Sequence, residues 1–102
     1  MGEIIIQDKV YDKIDFGANP LPKGEYENCA FKNCNLLNGD LTGFIFSDCV
    51  FTTCNLSLVK LDKTAFREVK FKDCKMLGLR MDSCNPFGLS FSFDNCVLNN
   101  CT

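Results

Sequence analysis

From residue 26 to residue 81, every fifth position of this sequence is a large apolar or aromatic side chain. The series runs Tyr26, Phe31, Leu36, Leu41, Phe46, Phe51, Leu56, Leu61, Phe66, Phe71, Met76 and Met81. With 46% hydrophobic residues overall, such a run arises by chance about once in two thousand trials, five phases allowed. The residues two before each centre, Gly24, Cys29, Cys34, Gly39, Phe44, Cys49, Cys54, Val59, Thr64, Val69, Cys74 and Leu79, carry no charge. All sixteen charged residues of 24–83 fall in the other three positions. Two positions of each five therefore point into a core and three point out. Neither a helix, repeating at 3.6 residues, nor an ordinary strand, repeating at 2, does this.

A short extended segment followed by a corner satisfies such a period. In the extended part, a centre and the residue two before it share one side and can both be buried. The rest makes the turn, where Asn33, Asp48, Thr53, Asp73 and Ser83 supply turn-forming side chains. Four sides close a square coil of twenty residues, because that spacing stacks like on like: Phe31, Phe51, Phe71; Leu36, Leu56, Met76; Leu41, Leu61, Met81; Tyr26, Phe46, Phe66. Three or five sides would mix Phe with Leu. The expected fold class is all-β, a quadrilateral β-helix of about four coils stacked ~4.8 Å apart.

The units Cys29-Ala30-Phe31-Lys32-Asn33, Cys34-Asn35-Leu36-Leu37-Asn38, Gly39-Asp40-Leu41-Thr42-Gly43 and Cys54-Asn55-Leu56-Ser57-Leu58 resemble the A-(D/N)-(L/F)-x-x repeats of pentapeptide-repeat proteins, with Cys often in place of Ala. The resemblance covers about four fifths of the chain. It implies a right-handed quadrilateral β-helix. It is specific for fold and weak for task, since the two are separable. Likeness to the quinolone-resistance, gyrase-protecting members is distant.

In chain order, residues 1–13 read as an N-terminal cap strand carrying Ile4, Ile6, Val10 and Tyr11, and residues 14–102 as the β-helix. A degenerate lead-in coil spans 14–24, with Ile14 and Phe16 as an inward pair and Leu21 as the next centre, bent by Pro20, Pro22 and Gly24; a plain linker is the alternative. Regular coils run over 24–84, a bulge over 85–92 and a last partial coil over 93–102. Phe93 and Leu98 come two residues late, so two extra residues leave the wall, and Cys96 then joins the column of Cys34, Cys54 and Cys74. The bulge is either a recognition loop or a tolerated insertion in which Pro86 and Gly88 make the detour. Beyond it, Phe93, Leu98 and open strand edges face water. Two chains meeting there, as in dimeric members of the resembled family, would cover them; a chain shortened from a longer ancestor is the other explanation. The expectation is a homodimer through the C-terminal end.

With 24% charged residues, ten Phe and two Tyr, the 102-residue chain is one small domain. No run of eighteen apolar residues suggests a membrane span, and Ile4-Ile5-Ile6 is too short for a signal sequence. A cytoplasmic, bacterial protein without membrane attachment is expected. A net charge of -2 announces no direct nucleic-acid binding.

Eight cysteines in a short chain would ordinarily suggest disulfides, yet no secretory signal accompanies them. Cys29, Cys34, Cys49, Cys54, Cys74, Cys84 and, after the shift, Cys96 occupy the small inward position, where Cys serves as a compact apolar filler. The sequence has no His and no C-x-x-C pair, so no metal site is expected. Without His, a phosphate loop or a nucleophile motif, no cofactor or catalytic residue is expected, and the chain reads as a non-enzyme. Asp40, Asp48, Asp73 and Asp82 are spread along the outside as solvated polar groups.

Two readings of function remain. The first is a non-enzymatic interaction scaffold for a protein partner, its candidate surface being Leu37, Leu58 and Leu77, outward leucines near one corner, beside the bulge with Pro86 and Phe87. Scattered surface hydrophobes are the plain alternative. The second, implied by the resemblance, is DNA mimicry, with DNA gyrase or a topoisomerase as partner. Residues 25–59 hold four acids and one base, but residues 60–80 hold seven bases, Lys60, Lys63, Arg67, Lys70, Lys72, Lys75 and Arg80, against three acids. A mimic of a duplex should be acidic along its whole length.

Overall fold

The computed structural model describes residues 4–102. Its backbone follows the five-residue beat at most corners. There the residue two after the inward centre takes a left-handed conformation, with φ between 53° and 61° at thirteen non-glycine positions. Asn28, Asn33, Asn38, Asp48, Asp73, Asn95 and Asn100 suit this region, as Asn and Asp tolerate it best after Gly. Gly43 and Gly78 fill it at two more corners. Thr53, Leu58, Lys63 and Glu68 adopt it too; the N–H groups of the first three are engaged by the next coil, as in Thr53 to the Lys72 carbonyl at 2.9 Å. Ser83 departs from the expected corner and closes a short 3-10 turn, Met81–Ser83.

Between corners the chain is extended, and among the described residues nine strands wind into parallel stacks. The first wall is β1 (Ile4–Gln7), β3 (Gly24–Glu27), β5 (Ile45–Ser47) and β7 (Ala65–Arg67). The second wall is β2 (Val10–Asp12), β4 (Ala30–Lys32), β6 (Val50–Thr52), β8 (Val69–Lys72) and β9 (Phe91–Asp94). Single bridges build the third wall, Asp15 to Asn35 to Asn55 to Lys75 to Val97, and the fourth, Asp40 to Lys60. All strand pairs are parallel, and most partners stand twenty residues apart, as in Phe31 with Phe51. The molecule is therefore an all-β solenoid of four walls.

The coil count is about five rather than the expected four. Residues 4–23 supply the extra coil: β1 and β2 pair in register with β3 and β4, and Asp15 bridges Asn35. The first three residues of the expected cap strand lie outside the described residues. At the other end the interruption is shorter than 85–92. Phe91 already pairs with Val69, an offset of 22 rather than 20, because its ring turns inward, edge-on to Phe66 at 5.9 Å and Phe71 at 6.5 Å. The detour is thus residues 85–90.

Both predicted inward registers are buried. Every centre from Tyr26 to Met76 is buried, and Met81 is half-buried; of the residues two before each centre only Gly39 falls short of full burial. On the second wall, five rings stack: Tyr11 on Phe31 at 5.0 Å, Phe31 on Phe51 at 4.5 Å, Phe51 on Phe71 at 5.2 Å and Phe71 on Phe93 at 5.5 Å. On the first wall Tyr26, Phe46 and Phe66 stack at 5.5 and 5.7 Å. The two columns meet edge to face, as in Phe46 with Phe51 at 5.4 Å. Both geometries are favoured by the ring quadrupole, by about 0.5–1.5 kcal/mol per pair beyond area burial.

The small inward residues join successive coils. The thiols of Cys29, Cys34, Cys49, Cys54 and Cys74 each donate to a backbone carbonyl 23 residues earlier, at 3.2–3.6 Å, and Thr64 does the same through its hydroxyl to Leu41 at 2.6 Å. Cys96 repeats the contact to Phe71 at 3.3 Å with a separation of 25, so it joins its column despite the two surplus residues. Among the described residues no buried side-chain nitrogen or oxygen lacks a partner.

Two substitutions separate inside from outside. Phe71→Asp places a carboxylate within the ring column and is expected to abolish the cooperative thermal transition seen by circular dichroism, whereas exposed Lys72→Asp stays within about 0.5 kcal/mol of the parent. Thr53→Asn, which relieves a β-branched side chain of a left-handed backbone, is expected to stabilise by about 0.5–1 kcal/mol in urea unfolding.

Candidate interaction surface

Three of every five side chains leave the walls, and on the outer faces they form ladders. Asn28 donates its amide to Asp8 at 2.7 Å, Asn95 to Asp73 at 2.7 Å, Asn35 to Asp15 at 3.2 Å, and Gln7 to Glu27 at 2.7 Å. The amide from Gln7 holds the Glu27 carboxyl below its ordinary range, and Thr42, through its hydroxyl and N–H, does the same for Asp40. Asp8 and Glu27 share an open concavity on the first wall with Asp48, Gln7 and Asn28, whereas Asp15, Asp40 and Asp73 lie outside it.

The outward leucines share one corner. Leu37 and Leu77 lie in one column with Ser57 between them, and the buried Ser57 hydroxyl accepts the Leu77 N–H at 3.0 Å. Leu58 sits one position on, at the left-handed corner, against the next coil: a Cβ built on Gly78 would lie 2.9 Å from Leu58 Cδ2. Leu37 is 42% exposed, Leu58 is 55% exposed, and Leu77 is half-buried. This corner joins the third and fourth walls.

Pro86 and Phe87 stand elsewhere. The 85–90 detour is anchored by Asn85 N–H to the Thr64 carbonyl and Ser90 N–H to the Phe66 carbonyl, both 2.9 Å, and so runs over the end of the first wall. The leucine corner is therefore not beside the bulge. The reason is topological: the detour takes the place of a fifth strand on the first wall, and the third wall lies on the opposite side of the coil. The loop is tightly turned. Asn85 Oδ1 accepts the Phe87 N–H at 3.0 Å, Leu89 N–H reaches the Pro86 carbonyl at 3.3 Å, and Gly88 turns with φ 71° over the Arg67 side chain. Phe87, at its tip, is 79% exposed.

A concavity that periodicity does not reveal opens at the leucine corner. It measures about 290 Å³ and is lined by Phe16, Pro20, Leu21, Leu36, Leu37 and Leu41 with the backbone of 38–40. Among the described residues, no backbone hydrogen bond joins 17–23 to 37–43, whereas the next coil is tied by Leu41 N–H to Lys60, Lys60 N–H to Gly39 and Gly43 N–H to Asp62. Pro20 has no N–H to offer. Asn19 turns its own back onto the Asp15 carbonyl, and the Tyr26 hydroxyl donates to the Pro22 carbonyl. The fourth wall of the first coil is thus held open; the only sequence signal is the pair of prolines.

Charge is segregated along the rod. Residues 4–43 carry six acids and four bases, while residues 64–83 carry five bases and three acids. The fourth coil bears cations on every wall: Arg67 on the first, Lys70 and Lys72 on the second, Lys75 on the third, Arg80 on the fourth. Among the described residues one ion pair forms, Arg80 with Asp82 at 3.4 Å, and it is well exposed.

All eight cysteines are free thiols. Burial pushes Cys49 and Cys84 up to about 11, and contact with the Cys74 thiol together with burial holds Cys54 protonated, while the same contact lowers Cys74 to about 7. No group of three potential ligands among the described residues is placed to hold a metal. Since a buried sulfur is out of the reagent's reach, iodoacetamide at neutral pH is expected to label the folded protein only at half-buried Cys96 and Cys101. Mass spectrometry should show the other six modified only after denaturation.

The family model described as "Pentapeptide repeats (8 copies)" matches residues 40–73. No curated protein matches the sequence. Among solved structures, QnrB1, described as a plasmid-mediated fluoroquinolone resistance protein, aligns with a TM-score of 0.43 at 15% identity, over 90% of this chain and 54% of its own. This chain thus spans about half of that one. Rfr23, a pentapeptide repeat protein from the cyanobacterium Cyanothece 51142, aligns with a TM-score of 0.45 at 11% identity, over 96% of this chain and 86% of its own. No helix among the described residues is long and apolar enough to cross a membrane.

Proposed function

We propose that this chain, a pentapeptide-repeat protein, is a non-enzymatic interaction scaffold that presents apolar side chains to a protein partner from a rigid four-walled rod. The observation that carries this reading is the exposure of Phe87 on a loop tied at both ends to the first wall, together with Leu37 and Leu58 on a separate corner. Large exposed apolar groups held in fixed positions bind at low ordering cost, because little conformational freedom is left to lose. Most carboxylates are engaged in hydrogen-bonded ladders and six of the eight thiols are buried, which supports binding over catalysis.

A DNA-mimicking role toward gyrase or another topoisomerase is the second reading. One observation favours it: Asp8, Glu25, Glu27, Asp48 and Glu68 project from the first wall and its corner over four coils. The cations around the fourth coil interrupt that field. Supercoiling by gyrase, assayed with purified protein and with or without a quinolone, separates the two: the scaffold reading expects neither inhibition nor protection. It also expects partner capture from the source cell's extract to fall at least about tenfold when Phe87, Leu37 and Leu58 are changed to Ser. Unchanged capture would remove these residues from the interface.

A further inference from the structure

The rod carries a projection and a recess of matching chemistry on different faces. The projection is Phe87, 79% exposed at the tip of a loop pinned by Asn85 and Ser90, with Arg67 beneath Gly88. The recess is the opening of about 290 Å³ between the first and second coils, walled by Phe16, Leu21, Leu36 and Leu37 with Asp40 at its edge. Building on the scaffold reading above, we propose that a second copy of this chain seats its Phe87 in this recess.

Charge and size both support the pairing. The loop rises from the coil in which bases outnumber acids five to three, and the recess opens in the coils where acids outnumber bases six to four. A phenyl group, which buries about 150–250 Å² on enclosure, meets an apolar wall on each side, and Arg67 is brought to the coils where acids outnumber bases. A copy cannot fill its own recess, because the loop caps the first wall at one end of the rod and the recess opens at the third and fourth walls near the other. The contact is heterologous: each copy offers a projection to one neighbour and a recess to another, so association continues past two copies.

Sedimentation velocity on the full chain, from about 10 µM to about 1 mM, covers the range of a contact resting on one aromatic anchor. The wild type is expected to form a growing series of species that shrinks as salt is raised. Phe87→Ser is expected to weaken association about 30-fold or more, and Leu37→Lys, which fills the recess with a cation facing Arg67, to do the same. Both sites are exposed, so thermal melts of both variants should match the wild type. Mixing the two variants restores one intact projection and one intact recess, and is expected to give a 1:1 dimer that grows no further. A wild type that stays monomeric throughout, association indifferent to either substitution, or growth that stops at a symmetric end-to-end dimer would each overturn the proposal. If Phe87-dependent capture of a different protein persists in those cases, the scaffold reading stands without it; if that is lost too, both fall.

Discussion

Each inward side chain of this protein rests on its counterpart one coil away. The tightest instance is Phe31 on Phe51, with ring centroids 4.5 Å apart, close to the roughly 4.7–4.9 Å that backbone hydrogen bonding sets between neighbouring strands. Ring stacking and strand pairing thus demand nearly the same separation, so neither strains the other. The left-handed corners, the thiol contacts between coils and the outer ladders all presuppose that registration. Because it acts only between adjacent coils, cohesion accumulates one coil at a time, as expected of a solenoid.

Buried cysteine has a definite part in this arrangement. Where the inward residue two before a centre is Cys, it faces carbonyls of its own coil and the one before, while Phe44, Val59, Val69 and Leu79 fill the same position with larger apolar groups. Cys54 illustrates the geometry, with its sulfur 3.2 Å from the Phe31 oxygen and 3.4 Å from that of Thr52. A thiol fills the space as an apolar group and still offers a weak donor. Thr64 makes the equivalent contact at 2.6 Å, so the contact calls for a small donor rather than for sulfur chemistry.

Repetition made the core legible before any coordinates. Where side chains recur every five residues, the direction each one takes is fixed by its neighbours above and below, and the columns from Tyr26 to Met76 follow. Legibility fails where pairing, not patterning, decides. Residues 4–23 close a coil because their strands bond to β3 and β4, although Pro20 and Pro22 obscure the beat. Phe91 belongs to β9 because its ring finds Phe66, which no local rule announces. The outer surface was harder still: Leu37, Leu58 and Leu77 share a corner as their spacing implies, but Phe87 lies away from them, since the detour replaces a strand on another wall. The recess beside Leu37 exists through hydrogen bonds that are not made, and an unmade bond leaves almost no mark in a sequence.

The two surplus residues of the 85–90 detour leave the Phe71–Phe93 stack and the Cys74–Cys96 column undisturbed. Winding is therefore governed by what each turn lands on, not by how many residues it spends getting there. A foreign peptide spliced in between Asn85 and Ser90 would inherit two anchored ends and a stiff mount, which makes this corner a ready graft point for displaying loops of other lengths.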